Sequence, residues 1–174
     1  MLNKSTAHGE ANGPTLTFRR AEIDDYSTIR HVQSTAIRSL GETLLDASEV
    51  TAATKVIYSA DYVSELSGKN VHVAILNGDI VGTCAWEPSD DRGSAARLSA
   101  LYVLPLFHGE GIGSRLVEVA ALDAVNSGFS RMMATVPVSI VPLFTAIGFN
   151  TASFGTSRDV IPDTLLQVAF LRKP

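Results

Sequence analysis

The segment Leu101-Tyr102-Val103-Leu104-Pro105-Leu106-Phe107-His108-Gly109-Glu110-Gly111-Ile112-Gly113-Ser114 constrains this chain more than any other. An apolar strand runs into a glycine-rich turn, and that turn becomes the first turn of an amphipathic helix. The leading N–H groups of a helix lack intrahelical partners and lie at the positive end of its dipole. Glycines at 109, 111 and 113 let a bulky anion come close to the main chain. The segment is therefore shaped to hold a phosphate or diphosphate, and function turns on which molecule carries it.

A Walker-type loop needs GxxxxGK[ST], and no lysine stands near this turn. A dinucleotide fingerprint needs GxGxxG, but the glycine spacing here is too short and Ser114 and Arg115 follow. That fingerprint also wants a carboxylate roughly 20 residues further on, at the end of the next strand. The next strand, Arg131 to Val136, runs into Pro137 without one.

A third reading fits better. His108-x-x-Gly111-x-Gly113 resembles the [RQ]xxGx[GA] signature of the GNAT superfamily, the acetyl-CoA-dependent N-acyltransferases. Leu101-Tyr102-Val103-x-Pro105 is similar to the strand that leads into that signature, and Val141-Pro142-Leu143-Phe144-Thr145-Ala146-Ile147-Gly148-Phe149 resembles the family's xPFYxxxGF helix and exit turn. The resemblance spans Leu16 to Leu171 and is strongest from Ala100 to Phe149.

Periodicity along the chain gives a compatible order. Residues 1–14 read as a disordered tail and 15–174 as one transferase domain. Strands are expected at Thr15–Arg20, Val71–Leu76, Ile80–Glu87, Arg97–Leu104, Arg131–Val136, Ala152–Gly155 and Leu165–Leu171. Asn77-Gly78 is a strong hairpin turn. Helices are expected from an Asp24 cap to Leu40, from Ser48 through Tyr58 and Tyr62 to Leu66, at Gly111–Asn126 and at Ser139–Ile147. This is an α/β (α+β) chain in the order β-αα-βββ-α-β-α-ββ. The resemblance implies a mixed, mostly antiparallel sheet of about six or seven strands with about four flanking helices. It also implies that strands four and five splay apart, with the pantetheine arm of the cofactor entering the V along Leu101, Tyr102 and Val103.

Composition excludes several other classes. Among 174 residues, 45% are hydrophobic, 18% are charged and the net charge is only −4, so there is no basic stripe for nucleic acid. No apolar run approaches the roughly 20 residues that span a bilayer. Cys84 is the single cysteine, which rules out an intramolecular disulfide and suits a reducing cytoplasm. No His/Cys/Asp spacing suggests a metal site.

The implied chemistry is direct transfer of an acetyl group from acetyl-CoA to a primary amine in a ternary complex. Main-chain amides across His108, Gly109, Glu110, Gly111, Ile112, Gly113 and Ser114 are expected to grip the diphosphate. His108 departs from the Arg or Gln of the family signature. Phe144 stands where the family often carries a tyrosine that protonates the departing sulfur, and becomes a wall of the pantetheine channel. Tyr102 or water is a candidate substitute acid, and the plain alternative makes Tyr102 a half-buried strand residue. Glu87 is the candidate general base, against a solvated strand-end charge. Asp90 and Asp91 read as a polar loop, His31 and His72 as isolated histidines, and Cys84 as a small buried strand residue. Acceptor specificity is expected from Arg38, Glu42, Tyr58, Tyr62 and Gly155–Asp163, with a small molecule favoured over a basic protein tail. The family is often dimeric, which makes a homodimer a further expectation. The rival reading is a non-catalytic acyl-CoA-binding or sensing module, motivated by Phe144 and the uncertain base.

Overall fold

The computed structural model describes residues 13–41, 43–89, 93–162 and 164–174. Most of the expected tail, together with Glu42, Asp90, Asp91 and Asp163, lies outside the described residues. The elements are β1 (Leu16–Arg20), α1 (Tyr26–Leu40), α2 (Ala47–Ile57), α3 (Ala60–Ser67), β2 (Asn70–Leu76), β3 (Asp79–Pro88), β4 (Ala95–Val103), α4 (Ile112–Asn126), β5 (Arg131–Pro137), α5 (Val141–Ala146), β6 (Asn150–Ile161) and β7 (Thr164–Lys173). One sheet takes the strands in the order β1-β2-β3-β4-β5-β7-β6. Its β4–β5 pair is parallel and the other pairs are antiparallel.

Strand alternation gives the sheet two buried faces. On one, Cys84, Trp86, Ala96 and Leu98 pack with Leu116, Val117 and Ala120 of α4 and Phe144 of α5. On the other, Tyr102, Leu166 and Val168 pack with Ile37 of α1 and Ile57 of α2, and Val73 and Ala85 pack with Ile29 of α1 and Leu66 of α3. Asn77 and Gly78 both adopt positive φ, 52° and 94°, the left-handed pair that a tight β2–β3 hairpin requires.

Three expectations about local structure need correction. The helical run from Ser48 to Leu66 is two helices, because Asp46 accepts from the Glu49 N–H and Ser59 from the Tyr62 N–H, each starting its own helix. A cap of the Ser59 kind contributes about 1 kcal/mol, enough to fix the break after Tyr58. The residue before α1 is Asp25, not Asp24, and its carboxylate is bound by Arg19 at 2.6 Å. Strand β6 extends well past Gly155 to Ile161; as an edge strand exposed along most of its length, it carries Thr, Ser and Asp without an apolar alternation.

Asp123 on α4 ties the helix to three strands. Its Oδ2 accepts from Trp86 Nε1 of β3 at 2.7 Å and from Arg20 Nη2 of β1 at 2.9 Å, with His72 Nε2 of β2 at 3.4 Å. Burial pushes the Asp123 carboxyl up, but the bonds from Trp86 and Arg20 and the neighbouring positive charge outweigh it and hold it below the ordinary value. His72 is nearly inaccessible, and burial depresses its imidazole pKa by more than the Asp123 charge restores. The unfolded chain then takes up this proton at a higher pH than the folded one. His72 therefore contributes stability that is present above the ordinary histidine value of about 6.5 and lost as pH falls through the depressed folded value. We predict that the urea midpoint falls between pH 7 and pH 5, and that His72→Gln shows a shallower fall. An identical slope in the variant would contradict this role for His72.

Candidate active site

Strand β4 changes partner half-way along. It pairs with β5 only from Ala95–Leu98 opposite Arg131–Ala134, and beyond Leu98 that ladder ends. On its other edge the register with β3 slips, since Thr83 faces Tyr102 while Ala85 faces Ser99. Cys84 thus opposes both Ala100 and Leu101, which is a β-bulge, and Ala100 takes a positive φ of 51°. The bulge is held from behind. Thr83 Oγ1 donates to the Ala100 carbonyl at 2.9 Å, Gln33 Nε2 lies 3.5 Å from Thr83 Oγ1, and the Tyr62 hydroxyl donates to Gln33 Oε1 at 2.8 Å. Gln33 and Thr83 are fully buried, so this chain of polar groups runs through the core and fixes the β4 backbone.

The gap between β4 and β5 opens a cleft of about 500 Å³. It passes between the two faces of the sheet, with Leu143 and Phe144 of α5 on one side and Ala36 and Leu40 of α1 on the other. Leu101, Tyr102, Val103, His108, Gly109, Gly111, Ile112, Gly113, Ser114 and Phe144 all line it. Glu110, expected with them, is exposed and does not.

The glycine turn has the geometry of an anion cradle. Gly109 and Gly111 have φ of 82° and 76°, a left-handed conformation that side chains disfavour. Gly111 is the N-cap of α4 and offers no side chain to cap it, so the first-turn N–H groups face the mouth of the cleft. A Cβ at Gly113 would sit 3.4 Å from Leu143 Cδ1, so glycine keeps the neck there at full width. His108 folds back, its Nε2 donating to the Val103 carbonyl at 2.9 Å and pinning the turn to the end of β4.

The candidate catalytic side chains fare differently. Tyr102 is buried, its hydroxyl donating to the Val160 carbonyl at 3.4 Å, and burial raises its pKa far above the ordinary phenol. Phe144 is 2% exposed and stacks edge-on against Phe149 with centroids 5.2 Å apart. Glu87 is not in the cleft. Alternation from Trp86 turns it toward Lys69, 3.1 Å away, and it sits opposite Arg97 on the still-paired part of β4. Tyr58 and Tyr62, expected among the acceptor-specificity residues, do not line the cleft. Tyr58 bonds Ser34 at the surface, whereas Tyr62 supports the bulge from inside. Arg38 and Gly155 lie away from the cleft, but Asp159, Val160 and Ile161 of the β6–β7 segment line it. Arg97, Ser99 and Thr135 also line it and carry no motif in the sequence.

Residues 67–151 match a family model described as an acetyltransferase (GNAT) domain. The chain carries a GNAT acetyltransferase domain over that segment. Its fold is shared with a GCN5-related N-acetyltransferase from Rhodopseudomonas palustris, at 19% identity and a TM-score of 0.75 over 91% of this chain and 95% of that one. The PaiA N-acetyltransferase from Thermoplasma acidophilum, solved with coenzyme A, aligns at 15% identity and a TM-score of 0.73 over 91% and 98%. YncA from Salmonella typhimurium, solved with acetyl-CoA, aligns at 20% identity and 0.64 over 91% and 92%. No curated protein matches the chain in sequence. The order of elements in the transferase differs from the expected one only in the extra break between α2 and α3. Among the described residues there is no helix long and apolar enough to cross a membrane, and no cluster of three metal-ligating side chains.

Cys84 lines the transferase cleft but is fully buried, and burial pushes its thiol up to about 12. A thiol held protonated is a poor nucleophile, which argues against an acyl-enzyme on this residue. We predict that Ellman's reagent finds no rapidly reacting thiol in the native protein at pH 8 and one per chain after denaturation. Immediate native labelling would reopen a covalent route.

Proposed function

We propose that this chain transfers an acetyl group from acetyl-CoA directly to the primary amine of a small acceptor bound with it in a ternary complex. The observation that carries the reading is the junction of an uncapped α4 N-terminus with a splayed, bulged β4 along one cleft. The main-chain amides from Gly109 to Ser114 suit a diphosphate, which needs several N–H donors and little side-chain charge. The edge of β4 from Ser99 to Val103, left without a partner strand, suits the amide groups of a pantetheine arm. The groups present therefore fit coenzyme A.

The thioester supplies an activated acetyl group, and the protein must then position, polarise and manage protons. A main-chain N–H at the Ala100–Leu101 bulge is our candidate donor to the developing oxyanion, preorganised by the Thr83–Gln33–Tyr62 chain. Phe144 cannot donate a proton and walls the channel. A thiol of pKa about 8.5 leaves tolerably as thiolate near neutrality, so solvent suffices to reprotonate it. We assign Tyr102 to packing the cleft wall, since its hydroxyl is already committed to Val160 and buried.

Two variants test this placement. Gly111→Glu sets a carboxylate where the diphosphate would lie, at a backbone cost of about 1–2 kcal/mol for the left-handed residue. Calorimetric titration with coenzyme A should show affinity reduced by more than about 100-fold. Gly111→Ala carries the same backbone cost without the charge and should lose far less. Equal affinity in wild type and Gly111→Glu would contradict the loop assignment. Phe144→Tyr adds one hydroxyl at the channel wall and should raise kcat by severalfold while leaving coenzyme A affinity within about threefold. A collapse of that affinity would instead mean that Phe144 is packed too tightly to accept an oxygen. Coenzyme A binding with no thiol release on any amine would favour the acyl-CoA-sensing alternative.

A further inference from the structure

The α1 side of the cleft holds two opposite charges that the fold itself does not use. Alternation along β4 puts Arg97 and Ser99 on the face opposite Ala96 and Leu98, and both line the cleft, as does Asp159 of β6. Among the described residues the Arg97 guanidinium has no hydrogen-bond or ion-pair partner. The Asp159 carboxylate meets only the Ser157 hydroxyl, at 3.4 Å. Between Arg97 and the bulge, the Ser99 hydroxyl oxygen is shielded from solvent and also lacks a partner. Buried hydroxyls are almost always satisfied, so an orphan lining a cleft points to a polar ligand. Asp159 is the only described carboxylate that lines this cleft.

Resting on the acetyl-transfer reading, we propose that the acceptor is a small amino-carboxylate, its carboxylate held by Arg97 and its amine presented by Asp159. A polyamine or a lysine-rich peptide would meet the Arg97 cation as a repulsion. A plain alkylamine would leave Arg97 without a partner. A molecule with both groups satisfies Arg97 through the two-pronged guanidinium–carboxylate geometry and Asp159 through its ammonium. The acceptor enters as an ammonium, and Asp159 takes one of its protons and relays it to solvent. The freed nitrogen lone pair forms the C–N bond at the thioester carbonyl carbon, and the C–S bond breaks with its electron pair passing to sulfur. The nitrogen then loses a second proton and the thiolate takes one up, so each turnover yields amide, thiol and one proton.

The test is an acceptor panel of the common amino acids, β-alanine and γ-aminobutyrate, each paired with its carboxamide, with thiol release as readout. Wild-type kcat/KM should favour the best amino acid over its amide by about 10- to 100-fold. In Arg97→Gln that ratio should fall close to one, chiefly through KM, and Arg97→Lys should restore part of it. Asp159→Asn should lower kcat/KM for both members of a pair by at least about tenfold and leave their ratio as in wild type. Acetylation of amines with no preference for a carboxylate, or a preference that survives Arg97→Gln, overturns this proposal and leaves the transferase reading standing. Absence of both coenzyme A binding and thiol release in the wild type overturns the two together.

Discussion

The Ala100 carbonyl, held by the hydroxyl of Thr83, is the contact on which the site depends. It stabilises a bulge in the middle of a central strand, where an unbroken ladder would otherwise be the lower-energy choice. Once β4 is bulged, its far half no longer runs alongside β5, and the cleft follows from that divergence. The supporting groups, Gln33 and Tyr62, come from α1 and α3, so the helices on one face of the sheet set the shape of a strand whose other face meets α4.

Helix α4 must present its N-terminus at a fixed angle to that cleft. Asp123, near its other end, gathers Trp86, Arg20 and His72 from three strands and so limits rotation of the helix about its axis. The His108–Val103 bond holds the opposite end. Between them the buried Leu116, Val117 and Ala120 provide the packing, and the loop is thereby presented as a rigid cradle.

The glycine turn that opens α4 was legible in the sequence because glycine spacing after an apolar strand has few other uses, and the exit turn around Gly148 and Phe149 reinforced it. The order of strands and helices along the chain was legible too, since the interior strands alternate or run apolar. Legibility failed where function rests on geometry between distant segments. Nothing in the string Arg97-Leu98-Ser99-Ala100 announces a bulge, and Ala100 is not a residue that ordinarily takes positive φ. Glu87 drew attention as a carboxylate at a strand end, yet alternation relative to Trp86 points it at Lys69. Asp159 lay inside a segment expected to shape the acceptor site, but its place in the cleft depends on the extended β6 that polar composition concealed. Tyr58 and Tyr62 were expected together at the acceptor site, as neighbours on one helix, and the break at Ser59 separates them.

The most direct measurement is a crystal structure of the protein grown with coenzyme A. Density for the diphosphate within hydrogen-bonding distance of the main-chain N–H groups between Gly109 and Ser114, with the pantetheine arm beside Leu101 to Val103, is the predicted result. A diphosphate bound anywhere else on the chain, with the α4 N-terminus left to water, would contradict it.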